Sequence, residues 1–168
     1  MNGYGKGLGQ VAECLLGAID GVVVKRLNVI ADDRGRLVEV LRSDDELFQR
    51  FGQTYVTTAY PGVVKAWHAH RRQWDHLAVV SGMALIGLYD DREGSPTRGR
   101  AMRVFAGVHS PVLVRVPPLV WHGFKCVSED ECVVMNVPTE VFNREEPDEL
   151  RREAHDPGIP FDWARRDK

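Results

Sequence analysis

Between residues 53 and 139 the chain is a succession of short apolar runs punctuated by turn signals. "QTYVTTAY", "VVKAWHAH", "DHLAVVSG", "MALIGLYDD", "AMRVFAG", "SPVLVRVPP", "GFKCVS" and "ECVVMNVPT" follow one another, separated by Pro61-Gly62, Ser81-Gly82, Gly94-Ser95-Pro96, Gly107 and Pro117-Pro118. Runs this short are long enough for strands and too short for ordinary helices. Many strands at this spacing predict an all-β sandwich or barrel. Upstream, "GVVVKRLNVIA" and "GRLVEVLR" flank "DDRG" and predict a hairpin.

Helices are expected only at the periphery. "VAECLLGAID" sets Val11, Cys14, Leu15 and Ala18 on one side of a short helix. "DDELFQRFG" has Ser43 to cap it, Glu46 in the capping-box position and Gly52 to end it. "NREEPDELRREAHDPGIPFDW" is a charged tail with room for a short exposed helix or an interface edge. The glycine-rich start makes residues 1–20 an N-terminal extension, and residues 21–168 are expected to form a single domain.

The bulk properties exclude more than they assign. A net charge of −2 gives no reason to expect nucleic-acid or membrane partners. No run approaches the ~20 apolar residues of a membrane span, and the start lacks a secretory leader. Three cysteines, Cys14, Cys126 and Cys132, fit neither a zinc knuckle nor a redox pair. Free thiols in a reducing cytoplasm are the expectation. Cys126 and Cys132 lie in apolar runs and are expected to be buried.

The chemistry concentrates in "GVVKAWHAHRRQWDHLAVVSG", residues 62–82, which holds three of the six histidines. On a strand, His68 and His70 point to one face. Asp75 follows a turn-like "RRQW", and "VPPLVWHGF" brings His122 beside a proline turn. A lone histidine is usually structural. Three imidazoles and one carboxylate together can hold a divalent first-row ion: iron, manganese, nickel or zinc. The spacing of Gly62, His68, His70, Asp75 and Gly82 resembles the first cupin motif, with Asp in the usual Glu place. Pro117, Leu119 and His122 resemble the second motif loosely.

Over residues 22 to 163 the chain also resembles the dTDP-4-dehydrorhamnose 3,5-epimerase family, a cupin-fold group. "DDRGRLVEV", "PGVVKAWHAH", "SPTRG", "VPPLVWHGF" and "AHDPGIPFDW" carry the likeness, in the family's order. It implies a cupin jelly-roll barrel, the double-stranded β-helix, with short peripheral helices. It implies an isomerase that removes a proton next to the carbonyl of a nucleotide-linked 4-keto-6-deoxy sugar and needs no cofactor. His68 falls on the catalytic base and Asp156 on the carboxylate that orients it. Arg34 and Lys65 fall on cations for the diphosphate, Glu39 on a sugar-nucleotide contact, and His122 in the binding site. The family also implies a homodimer that pairs N-terminal strands across subunits.

Three departures shape the reading. Lys65 replaces Arg and keeps the charge without the bidentate fork. Asp75 stands where the family has a lysine for the enolate oxygen, and an anion there repels a developing oxyanion. Phe142 stands where the family has its tyrosine acid. The last two weigh against a double epimerisation. Tyr55 and Tyr60 are the nearest surviving phenols that could replace the acid. The substitutions together restore a metal-ligand set of His68, His70, Asp75 and His122. If His68 spends its inward nitrogen on a metal, His76 or a metal-bound hydroxide becomes the candidate base. Three readings follow: an epimerase or ketoisomerase, a metal-dependent cupin of other chemistry, and a non-catalytic sugar-nucleotide binder. Trp67 and Trp121 are expected to pack the barrel, and His109 and His155 to sit at the surface.

Overall fold

The computed structural model describes residues 19–166. Most of the helix expected in "VAECLLGAID", with Cys14, lies outside them, and its last two residues, Ile19 and Asp20, are not helical. Twelve strands follow in chain order: β1 (Val23–Arg26), β2 (Val29–Asp32), β3 (Gly35–Val38), β4 (Tyr55–Ala59), β5 (Val64–His70), β6 (Asp75–Ser81), β7 (Met83–Asp90), β8 (Ala101–Gly107), β9 (Val112–Val116), β10 (Val120–Cys126), β11 (Cys132–Asn136) and β12 (Glu149–Arg151). One five-stranded sheet runs β1-β9-β6-β11-β4, the other β12-β5-β10-β7-β8, and β2-β3 form a separate hairpin. The strand spacing predicts an all-β sandwich or barrel, and the two sheets form the jelly roll that the family resemblance implies.

Alternation along each strand builds the core. Leu77, Ile86, Val114, Phe124 and Val134, from both sheets, share one buried cluster. Each such side chain contributes roughly 1.5–3 kcal/mol when fully removed from water. The outer faces are covered as well. Leu47 packs over Ala78 and Leu113 of the first sheet, and Ile159 and Trp163 of the tail pack over Trp67, Leu85 and Trp121 of the second. Cys126 and Cys132 are free and buried.

The two other expected helices do not form. Residues 43–48 make tight turns instead. The Asp45 carboxylate accepts the Leu47 N–H at 3.0 Å and pairs with Lys25, while the Leu47 carbonyl is occupied by the His76 ring at 3.0 Å. That carbonyl is therefore spent on a tertiary contact and not on a helical one. The tail forms β12, because β5 would otherwise leave an unpaired edge. Asp148 fixes the entry to β12 by accepting the N–H groups of Arg72 and Gln73 at 3.0 and 3.1 Å.

The predicted hairpin is present but shorter. β2 and β3 pair with Asp32 opposite Gly35, so Asp33-Arg34 is a two-residue turn. Val23–Arg26 leaves it to pair with β9. No helix among the described residues is long and apolar enough to cross a membrane.

Candidate active site

Strand phase decides which histidines meet. Trp67 and Ala69 of β5 are buried in the outer cluster under the tail. His68 and His70, one step out of phase, face the opposite way. β10 runs antiparallel to β5 with His122 opposite His68, and β12 sets Arg151 opposite His68 and Glu149 opposite His70. The His68 and His122 rings lie 4.1 Å apart, and His70 sits 5.9 and 6.0 Å from them. This close approach depends on Gly123. A Cβ there would fall 2.3 Å from the Cβ of Ala66 and 2.7 Å from its Cα.

The facing sheet supplies the carboxylate. Asp75 Oδ2 lies 3.3 Å from His122 Nε2 and 3.5 Å from His70 Nε2. Its Oδ1 accepts the side-chain amides of Gln73 at 2.8 Å and Asn136 at 2.6 Å. Burial works to raise the Asp75 pKa. The His122 contact and charge, then His70 and the Asn136 amide, outweigh burial and hold the carboxyl far below its ordinary range. His68 moves the other way from a free imidazole's affinity for protons: burial first, then the neighbouring His122, push it well below 6.5, against the pull of Asp75. Burial also lowers His70. Both rings are thus favoured in the neutral form, with a lone pair available.

His122 presents a counting problem. Its Nδ1 meets the Val120 carbonyl at 3.0 Å, and its Nε2 faces Asp75. Both neighbours accept, and a neutral imidazole has only one N–H. With the proton on Nδ1 and donated to the Val120 carbonyl, Nε2 is buried without a hydrogen bond, as is His70 Nδ1. A lone pair facing a carboxylate needs a proton or a cation between them. A backbone-anchored imidazole is also how metal-ligating histidines fix their tautomer. One nitrogen from each of His68, His70 and His122 lies within 4.8 Å of the others. The contacts of Asp75 match the edge of a tetrahedron with bonds of 2.0–2.1 Å, about 3.3 Å. These residues fit a divalent ion.

Beside them opens a cavity of about 1050 Å³, lined among others by Tyr55, Lys65, His68, Phe142 and Arg151. Lys65 is on its wall and donates to Thr57 Oγ1 at 3.1 Å. Phe142 is also on the wall, half exposed, and brings no hydroxyl. Tyr55 lines the cavity, whereas Tyr60 is 73% exposed and does not. Arg152 lays its guanidinium 4.4 Å from the centre of the Trp121 ring. Trp67 and Trp121 are buried packing, and His109 and His155 are exposed.

Other residues named from sequence lie elsewhere. Arg34 pairs with Asp32 at the exposed hairpin turn, and Glu39 pairs with Arg42 at 3.0 Å; neither lines the cavity of its own chain. Asp156 accepts the Gly158 N–H at 2.7 Å and stands 4.0 Å from Arg152, and it makes no bond to His68. His76 cannot serve as an alternative base. One residue from Asp75, it points to the opposite face and is fully buried, with its ring nitrogens on the Val137 and Leu47 carbonyls at 2.9 and 3.0 Å. Sequence reading passed over Gln73, Asn136 and Arg151. A polar residue inside the apolar run "VVMNV" was the available signal for Asn136.

Residues 30–150 match the family described as polysaccharide biosynthesis C-terminal domain. The chain is 44% identical over 147 residues to a probable low-salt glycan biosynthesis epimerase of Haloferax volcanii, covering 86% of this chain and 94% of that one. It is 39% identical over 145 residues to a spore coat polysaccharide biosynthesis protein of Bacillus subtilis, covering 86% and 96%. Among solved structures it is similar to a dTDP sugar isomerase of Desulfovibrio desulfuricans, with a TM-score of 0.83, 33% identity, and 89% and 94% of the two chains covered. The matches of sequence and fold have one reading: the chain belongs to the polysaccharide biosynthesis C-terminal domain family, a cupin-fold group of the dTDP-4-dehydrorhamnose 3,5-epimerase type.

Proposed function

We propose that this protein is a carbohydrate epimerase or ketoisomerase acting on a nucleotide-linked 4-keto-6-deoxy sugar. The observation that carries this reading is His68, favoured in its neutral form, on the wall of a cavity large enough for a sugar nucleotide. The ketone at C4 acidifies the neighbouring C–H bond. His68 takes that proton, and the electron pair moves into an enolate. Reprotonation on the other face inverts the centre; reprotonation that shifts the carbonyl isomerises it. Neither path consumes an oxidant or reductant. Lys65 and Arg151 on the same wall supply positive charge for the diphosphate. The relatives named as an epimerase and a dTDP sugar isomerase support the class.

The working molecule in this reading is a cytoplasmic homodimer in which the β2–β3 hairpin reaches across to the partner and brings Arg34 to bear on the nucleotide. His122 gives a second reading its own observation. His68, His70, His122 and Asp75 would hold a divalent ion, and such an ion supplies Lewis-acid polarisation of a carbonyl when bound. His68 would then spend its lone pair as a ligand.

A panel of nucleotide-linked 4-keto-6-deoxy sugars in deuterated water, followed by NMR, tests the class. Exchange next to the ketone, abolished in His68→Asn, is the expected result. Tight binding without exchange would instead make the protein a sugar-nucleotide binder. Elemental analysis of the same sample, with activity before and after chelation, decides between the two site chemistries.

A further inference from the structure

We infer that Tyr55 is the proton donor of this site, delivering its hydroxyl proton to the face of the enolate opposite His68. The inference rests on the epimerase reading and adds to it the identity of the acid.

Hydrogen-bond accounting aims the hydroxyl. The backbone N–H of His76 donates to Asn136 Oδ1 at 3.0 Å, which fixes which end of that amide is oxygen. The two hydrogens on Nδ2 then go to Asp75 Oδ1 at 2.6 Å and to the Tyr55 hydroxyl at 3.0 Å. The Tyr55 oxygen is therefore an acceptor in this network. Its own O–H has to point elsewhere, and the cavity is what it borders. Desolvation of the hydroxyl raises the Tyr55 pKa, the Asn136 hydrogen bond opposes the rise and the Asp75 charge adds to it, so the phenol holds its proton until a strong base such as an enolate carbon arrives.

The placement of the two groups suits inversion. Gln53, Tyr55 and Thr57 present alternate residues of and beside β4 to the cavity; Ala66, His68 and His70 do the same from β5. β4 is in one sheet and β5 in the other. A base and an acid on facing sheets address the two faces of a planar enolate lying between them. Phe142 borders the same space with no proton to give.

The step balances without a co-reactant. The substrate C–H bond breaks toward His68, whose ring becomes an imidazolium. The enolate carbon then takes the Tyr55 proton, forming the inverted C–H bond and leaving a phenolate. Solvent returns a proton to Tyr55 and takes one from His68.

The test compares wild type, Tyr55→Phe and Tyr60→Phe with the 4-keto sugar panel in deuterated water, following deuterium incorporation and the configuration at carbon separately. Tyr55→Phe should keep deuterium exchange within about threefold while inversion falls at least 100-fold. A merely structural role for Tyr55 would lower both together. Tyr60→Phe should match wild type. Inversion by Tyr55→Phe at the wild-type rate, or equal loss of exchange and inversion, overturns the assignment. A wild type that neither exchanges nor inverts any substrate overturns the epimerase reading, and the assignment with it.

Discussion

At the scale of residues, the site is a contest for protons. His68 and His70 are held below 6.5 by burial, while Asp75 is held low by the partners that outbid its burial. The acid limb of kcat/KM should therefore lie below pH 6.5, with activity retained at pH 6. Stability follows the same sign. The unfolded imidazoles bind protons that the folded ones resist, so their contribution is present above pH 6.5 and is lost as pH falls through the lowered folded values. Thermal scans should show Tm falling from pH 7 toward pH 5, with a shallower fall in His68→Asn. His122 carries the metal question. In the metal reading, excess Zn²⁺ or Mn²⁺ should stabilise wild type by about 3 kcal/mol at one hundred times Kd. In a domain of this size that is a rise of roughly 6–12 °C in Tm. His122→Asn and Asp75→Asn should lose the rise. The cluster was legible because His68, His70 and His122 share strand phase and motif spacing. His76 was misread as a candidate base although the same phase rule turns it away from Asp75.

At the scale of elements, two contacts hold the site in register. Gly123 lets β10 press against β5, so Gly123→Ala forces a Cβ into the Ala66 position at the turn of the His68–His122 pair. Overpacking of this kind costs about 1–3 kcal/mol or more. The variant should fold with a Tm lowered by several degrees, lose most kcat, and lose any metal response. Asp148 anchors β12 through two backbone N–H groups beside the cavity. Asp148→Ala should cost roughly 1.5–3 kcal/mol, read as a lower midpoint in urea at unchanged slope. Strands β4 to β11 were legible because alternation and turn residues mark them locally. β12 was not, since "ELRR" has no apolar period and becomes a strand only because the edge of β5 accepts it. The helix expected at residues 44–52 failed for the complementary reason: a good capping pattern lost to a local turn in which Asp45 takes the Leu47 N–H and to the His76 contact, the second of which no local pattern encodes.

At the scale of the whole molecule, the β2–β3 hairpin is the part that one chain leaves unfinished. Ile30 and Leu37 are directly paired and are 55% and 56% exposed, with Val29 39% exposed beside them. A two-stranded hairpin standing alone is marginal in water. An apolar pair at its centre gives it a reason to be covered, and in the proposed homodimer a second copy of the chain would cover both hairpins by the same contact. Arg34 at the tip, whose ion pair among the described residues is with Asp32, is then the residue such an exchange would carry furthest. Light scattering should give twice 18.9 kDa for wild type. Ile30→Glu with Leu37→Glu should give the monomer, with the far-ultraviolet signature of the two five-stranded sheets retained. Arg34→Ala should leave the dimer intact and raise KM for the sugar nucleotide about tenfold, as loss of one phosphate contact of roughly 1.4 kcal/mol would. A monomeric wild type with full activity would remove the partner from the site and leave Lys65, Arg151 and Arg152 as the Lys and Arg side chains on the cavity wall to hold the diphosphate.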